Sequence, residues 1–261
     1  MKAVILAGGR GTRLAEETGI RPKPMVEIGG KPILWHIMHI YAHFGVTEFV
    51  VAAGYKGEMI KEYFANFYLH NNDYTFDLKS GDRALLSTGD IDWKVSVVDT
   101  GLDTNTAGRV AQLRDHLADD DFMLTYGDGV ANVDLASLQA FHSGHDKLAT
   151  VTAVRPPARF GALDIADGAV KRFIEKPQTE SGWINGGFFL FRPGMFDYLT
   201  GIDPDDEHQS LERAVLEKMS ADGQLMAHQH AGFWHPMDTL RDRQVLEKLW
   251  NTEQAPWKMW S

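Results

Sequence analysis

Met1-Lys-Ala-Val-Ile-Leu-Ala-Gly-Gly-Arg-Gly-Thr-Arg-Leu14 opens the chain, and Arg21-Pro-Lys-Pro-Met25 follows shortly after. The apolar run 3–7 predicts a buried strand, and Gly8, Gly9 and Gly11 break it at once. Arg10, Arg13 and Thr12 sit among those glycines. Glycines let backbone N–H groups approach oxygens closely, and fixed cations neutralise charge, so the stretch reads as a polyphosphate cradle. It is not a dinucleotide fingerprint, because Leu14 holds the third glycine position. It is not a Walker A loop either, since no Gly-Lys-Ser/Thr closes it. A plain glycine-rich turn is the bland alternative, and two arginines without an anion make it a costly one. Proline on both sides of Lys23 restricts the backbone there and fixes the direction of the ammonium.

The rest of the chain alternates strand and helix patterns. Apolar runs predict strands over 49–53, 95–98 and 122–126, and helical spacing predicts helices over 32–44, 58–68 and 133–142. Thr106 is a candidate cap for a helix running to about residue 117. The alternation implies an α/β fold, Rossmann-like, with a mixed, mainly parallel sheet flanked by helices. Residues 71–92 are polar and interrupt the rhythm as an insertion or hairpin. Beyond 148 strands become denser, at 149–154, 169–173 and 188–191, with Asp167-Gly168 as a hairpin signal. Helices are expected over 211–219 and 240–250. No repeat, low-complexity linker or clear domain boundary stands out.

The 261 residues fit one large domain, and 44% hydrophobic residues suffice for a sizeable core. The net charge of −10 disfavours nucleic acid as a partner. Residues 1–31 run the other way, with six cations against three glutamates, which suits a small anionic ligand. The absence of cysteine excludes disulfides and thiolate metal sites and fits a reducing, cytoplasmic setting. No apolar run approaches membrane-spanning length, so no membrane partner is expected.

Further motifs carry candidate chemistry. Thr125-Tyr-Gly-Asp-Gly129 puts Asp128 just past the end of a strand, where α/β sheets bind ligands. Its alternative is an ordinary Asp-Gly turn. Trp234-His-Pro-Met-Asp-Thr239 puts Asp238 ahead of the last helix, as a helix cap or as a second ligand to a Mg²⁺ shared with Asp128. His235 is a conceivable ligand, but histidines are left out of the metal site, with His228 and His230 read as surface residues. Phe173-Ile-Glu-Lys-Pro177 and Asn185-Gly186-Gly187 offer a further cation and a small-residue approach to backbone. Trp250, Trp257 and Trp260 are candidates for an assembly surface, or else pack on their own domain.

The order of these pieces resembles that in the sugar-1-phosphate nucleotidyltransferases: Leu6-Ala-Gly-Gly-x-Gly-Thr-Arg-Leu14, Pro22-Lys-Pro24, Gly127-Asp128, Glu175-Lys-Pro177, Asn185-Gly-Gly187 and Met237-Asp-Thr239. Within them the chain is most similar to the branch that makes CDP-glucose from CTP and glucose 1-phosphate. That narrower likeness rests on Pro24-Met-Val-Glu-Ile-Gly-Gly-Lys-Pro-Ile-Leu-Trp-His-Ile-Met38, Gly54-Tyr-Lys-Gly57, Val98-Asp-Thr-Gly101, Arg159-Phe-Gly-Ala-Leu-Asp-Ile165 and the tail Ala255-Pro-Trp-Lys258. It implies the nucleotide-diphospho-sugar transferase fold in a single domain over 1–261, with a nucleotide-binding half of about 1–147 and a smaller, β-rich sugar-phosphate half of about 148–261.

The resemblance also implies roles. Leu6, Ala7, Gly8, Gly9 and Gly11 would hold the nucleotide, with Thr12 and Arg13 on its phosphates and Lys23 on the α- or β-phosphate. Thr106 and Arg109 would contact the nucleotide. Asp128 and Asp238 would hold Mg²⁺, and Arg13, Lys23, Asp128 and Asp238 would form the catalytic set. Lys176 would bind the sugar phosphate, and Glu175, Asn185 and Gly186 the sugar hydroxyls. Homo-oligomers, often hexamers, are implied too. Ala107 and Ala158 stand where the family commonly has glycine, and a methyl at 107 is expected to narrow the base pocket slightly. The competing readings are the same chemistry with another nucleotide or sugar phosphate, and a non-catalytic regulatory subunit that binds nucleotide sugars.

Overall fold

A computed structural model of the chain describes residues 1–87, 89, 91–117, 119–156, 162–166, 169–174 and 182–260. The first strand, Lys2–Ala7, lies in the middle of the main sheet. It pairs in parallel with Glu48–Ala53 on one side and with Phe122–Tyr126 on the other, and Lys94–Asp99 extends the sheet beyond Glu48–Ala53. Beyond Phe122–Tyr126 the short strand Phe189–Phe191 runs antiparallel to its neighbours, Phe122–Tyr126 and Ala149–Val154. Leu225–His230 then pairs in parallel with Ala149–Val154. The sheet is therefore mixed and mainly parallel, as the alternating pattern predicts.

Both faces of the sheet are covered, and the strand alternation shows it. Ala3, Ile5 and Ala7 face one core, built with the helix Ile33–His43 and the C-terminal tail. Val4 and Leu6 face the other, built with the helix Thr106–Gln112 and with Leu211, Val215 and Met219. All five of these strand residues are buried, which is why residues 3–7 read as a continuous apolar run with no polar alternation.

Several local expectations change. The cap of the helix Thr106–Gln112 is Asn105, whose side chain accepts from the Gly108 N–H; Thr106 is the first helical residue. Asn105 has the extended backbone a cap needs, and its carbonyl oxygen reaches the orphan N–H. The last helix, Leu240–Asn251, is capped by Thr239 in a capping box with Asp242, so Asp238 is released from that duty. The segment 71–92 does contain a hairpin, Tyr74–Phe76 with Arg83–Leu85. Ala162–Ala166 pairs antiparallel with Ala169–Ile174, although Asp167 and Gly168 lie outside the described residues. His228 and His230 are half-buried on an edge strand instead of standing on the surface, and burial lowers the pKa of both.

The tryptophans pack inward. Trp257 is fully buried, and its indole N–H donates to His36 Nδ1 at 3.4 Å. Trp250 and Trp260 close around His36 and Trp35 of the same chain, with ring centroids 4.6–6.3 Å apart. Flat aromatic area was already needed to cover the helix Ile33–His43, so these residues give no support to an assembly surface. Among the described residues no helix is long and apolar enough to cross a membrane.

Candidate active site

The parallel register brings the ends of the strands Lys2–Ala7 and Phe122–Tyr126 together. Leu6 lies beside Tyr126, and the Gly127 N–H donates to the Leu6 carbonyl at 2.9 Å. The glycine loop and the Gly127-Asp128 turn therefore leave the sheet as neighbours, at the edge where α/β folds bind ligands. Between them opens a cleft of about 350 Å³. Leu6, Ala7, Gly8, Gly9, Gly11, Thr12, Arg13, Lys23, Thr106, Arg109 and Asp128 all line it. Thr104, Asn105 and Tyr126 line it as well and were not singled out from the sequence. Tyr126 adjoins Gly127-Asp128, and that adjacency was the available signal.

The loop is shaped by two close approaches. Gly11 has φ +61°, a left-handed conformation, and a Cβ there would lie 2.8 Å from the Thr18 methyl. A Cβ on Gly8 would lie 2.2 Å from the Arg109 guanidinium carbon. Arg109 is 4% exposed. One nitrogen donates to the Thr100 hydroxyl and the Gly101 carbonyl at 2.7 Å, and the other donates to the Gly8 carbonyl at 3.1 Å. Burial lowers its pKa, opposed by the charges of Asp99 and Asp103. Arg109 thus holds the wall of the cleft from behind. Ala107 is not among the lining residues: it is fully buried in the core facing the sheet, so its methyl does not narrow the cleft.

Asp128 and Asp238 meet, although 110 positions separate them in the chain. The cause is a short antiparallel pair, Gly129–Ala131 with Trp234–Pro236, in which Pro236 faces Gly129. The Met237 N–H then donates to the Asp128 carbonyl at 2.7 Å. Lys23 Nζ lies between the two carboxylates, 2.6 Å from Asp128 Oδ2 and 2.7 Å from Asp238 Oδ1. Arg13 adds a bond to Asp238 Oδ2 at 2.8 Å. Lys23 is 8% exposed, and the short helical turn Lys23–Met25 that follows Pro22 sets its direction. The four-residue cluster is the electrostatic centre of the cleft.

The donor set fits a hard divalent ion. Mg²⁺ takes oxygen ligands, keeps several waters, and is typically held by one or two carboxylates plus substrate phosphates. Two converging aspartates on one edge of the glycine-lined cleft supply that set, and among the described residues no group of three or more His, Cys, Asp or Glu offers a rival.

On the opposite flank Asn185 donates to Tyr126 Oη at 3.0 Å, and the Gly186 carbonyl accepts from Trp234 Nε1 at 2.8 Å. This flank joins the cleft through Tyr126. Glu175 and Lys176 lie outside the described residues, as do Ala158 and Arg159.

Residues 2–244 match the model of the nucleotidyl transferase family. The chain is 50% identical over 261 residues to a glucose-1-phosphate cytidylyltransferase of Salmonella typhimurium, covering 100% of both chains. It is 32% identical over 248 residues to the mannose-1-phosphate guanylyltransferase catalytic subunit beta of Dictyostelium discoideum, covering 93% of this chain and 62% of that one. The fold is shared with HddC from Yersinia pseudotuberculosis, solved in complex with GMP-PN, at a TM-score of 0.66 and 23% identity over 95% of this chain and 99% of that one. The chain belongs to the nucleotidyl transferase family.

Proposed function

We propose that the protein transfers a cytidylyl group from CTP to α-D-glucose 1-phosphate, giving CDP-glucose and pyrophosphate. The observation that carries the chemistry is the meeting of Asp128, Asp238, Lys23 and Arg13 in the glycine-lined cleft. The choice of nucleotide and sugar follows the Salmonella relative's assignment.

A phosphate oxygen of glucose 1-phosphate attacks the α-phosphorus of CTP in line. The new P–O bond forms as the bond to the β-phosphate bridge breaks, and pyrophosphate leaves with the electron pair. The nucleophile is already anionic at neutral pH, so no general base is required. The barrier is repulsion between two polyanions, and catalysis is positioning plus charge neutralisation. Backbone from Leu6 to Gly11 cradles the nucleotide, Thr12 and Arg13 meet its phosphates, and Lys23 swings from the carboxylates to the α- or β-phosphate. Thr106 and Arg109 serve the nucleotide side, Arg109 through the Gly8 carbonyl it holds. Asp128 and Asp238 would hold Mg²⁺, which when bound supplies further neutralisation of the reacting phosphates. Lys176 on the sugar phosphate, and Glu175, Asn185 and Gly186 on the sugar hydroxyls, belong to the same proposal. So do the two halves at about 1–147 and 148–261, a cytoplasmic setting, and a homo-oligomer of up to six copies, which light scattering tests.

Purified protein incubated with CTP, glucose 1-phosphate and Mg²⁺ should release CDP-glucose and pyrophosphate in equal amounts, identified by mass. Asp128→Asn and Asp238→Asn should each slow turnover at least about a hundredfold. No nucleotide sugar from folded protein, or near-wild-type rates in both variants, refutes the proposal.

A further inference from the structure

Glu212 lies far in sequence from every motif above, yet its carboxylate holds two cleft residues at once. Oε1 accepts from Tyr126 Oη at 2.6 Å, and Oε2 accepts from Thr106 Oγ1 at 3.1 Å. Thr106 in turn accepts from the Leu211 N–H at 2.8 Å, which closes the link on the same turn. That turn, Leu211–Leu216, is a π-helix, a rare winding that recurs at functional sites. The wider turn is where Glu212 reaches the helix Thr106–Gln112 and the end of the strand Phe122–Tyr126 together.

The chain of bonds continues past Tyr126. A phenol hydroxyl that donates its one hydrogen to Glu212 can only accept from Asn185, and Asn185 Nδ2 donates to it at 3.0 Å. Asn185 Oδ1 accepts from the Gly187 N–H at 2.9 Å, so both ends of the amide are fixed. Remove the carboxylate and Tyr126 Oη is free to turn, and the Asn185 amide loses its reason to point one way.

We propose that Glu212 is a positioning residue that ties the nucleotide side of the cleft, through Thr106, to the sugar side, through Tyr126, and thereby sets the Asn185 amide for the sugar hydroxyls. The proposal rests on the reading of Asn185 as a sugar contact. Steady-state kinetics with each substrate varied separately test it in Asn185→Ala, Tyr126→Phe, Glu212→Gln, Glu212→Ala and the double variant Tyr126→Phe/Asn185→Ala, with melting temperatures for each.

Asn185→Ala is expected to raise KM for glucose 1-phosphate about tenfold, the scale of one hydrogen bond. Tyr126→Phe and Glu212→Ala should raise it several-fold, the double variant should be no worse than Asn185→Ala alone, and Glu212→Gln, which keeps an acceptor for Tyr126, should recover part of the loss. An effect in Asn185→Ala with none in Tyr126→Phe or Glu212→Ala overturns the role of Glu212 and leaves the sugar contact standing. So does a fall in melting temperature with no change in KM. An unchanged KM in Asn185→Ala sinks the sugar contact and the proposal with it.

Discussion

Replacing Lys23 with methionine probes the centre of the cleft without changing its shape much. The ammonium is the group shared by Asp128 and Asp238, whose side chains are 31% and 12% exposed. Deleting it leaves two carboxylates facing each other, with Arg13 still on Asp238. Breaking a fully buried pair costs roughly 3–5 kcal/mol, and the exposure of Asp128 reduces that here to about 2 kcal/mol. At this chain length such a loss lowers the melting temperature by about 4 °C. Turnover should fall at least about a hundredfold, because a cation aimed at the transition state is gone. The two losses separate on adding millimolar Mg²⁺. The divalent ion should raise the melting temperature of Lys23→Met more than that of the wild type, whose carboxylates are already neutralised. Calorimetric melts with and without Mg²⁺, alongside pyrophosphate-release rates, are the assay. A variant that melts like the wild type, or turns over within about threefold of it, refutes the reasoning.

Two further outcomes follow from the packing. Gly8→Ala drives a methyl to within 2.2 Å of the Arg109 guanidinium and should raise KM for CTP roughly tenfold, leaving KM for glucose 1-phosphate unchanged. His36 is fully buried with Nε2–H donating to the Ile28 carbonyl, and burial lowers its pKa from 6.5 to about 4. A depressed histidine pKa makes the unfolded state bind more protons, so stability is complete above pH 6.5 and is lost as pH falls toward 4. By pH 5 the loss from His36 should reach about 2 kcal/mol, and His36→Asn should melt with a flatter pH profile between 7 and 5.

Much of the fold was legible because its signals are local. Residues 3–7 have no polar position, and glycine ends the run, so a strand buried on both faces is the economical reading. The cradle was legible for the same reason, since Gly8 to Lys23 lie within one short stretch. The convergence of Asp128 with Asp238 was only an expectation. It depends on three-residue strands too short and too far apart to announce their pairing. Asn105 took the cap from Thr106 because capping is decided by which residue adopts the extended backbone, a matter of one position. The tryptophans stayed open between two readings because spacing does not say which side of a tail faces inward, and here His36 and Trp35 supply the partner. Glu212 was invisible: it sits in a helical pattern, and its reach comes from the widened turn and from two hydroxyls distant in sequence.

The most direct test is a one-pot competition. CTP, UTP, dTTP and GTP at equal concentration are offered to the wild-type protein with glucose 1-phosphate and Mg²⁺, and the nucleotide sugars are resolved by mass. CDP-glucose is expected as the dominant product from the earliest time points. A different nucleotide sugar in excess, or none above the level without protein, contradicts it.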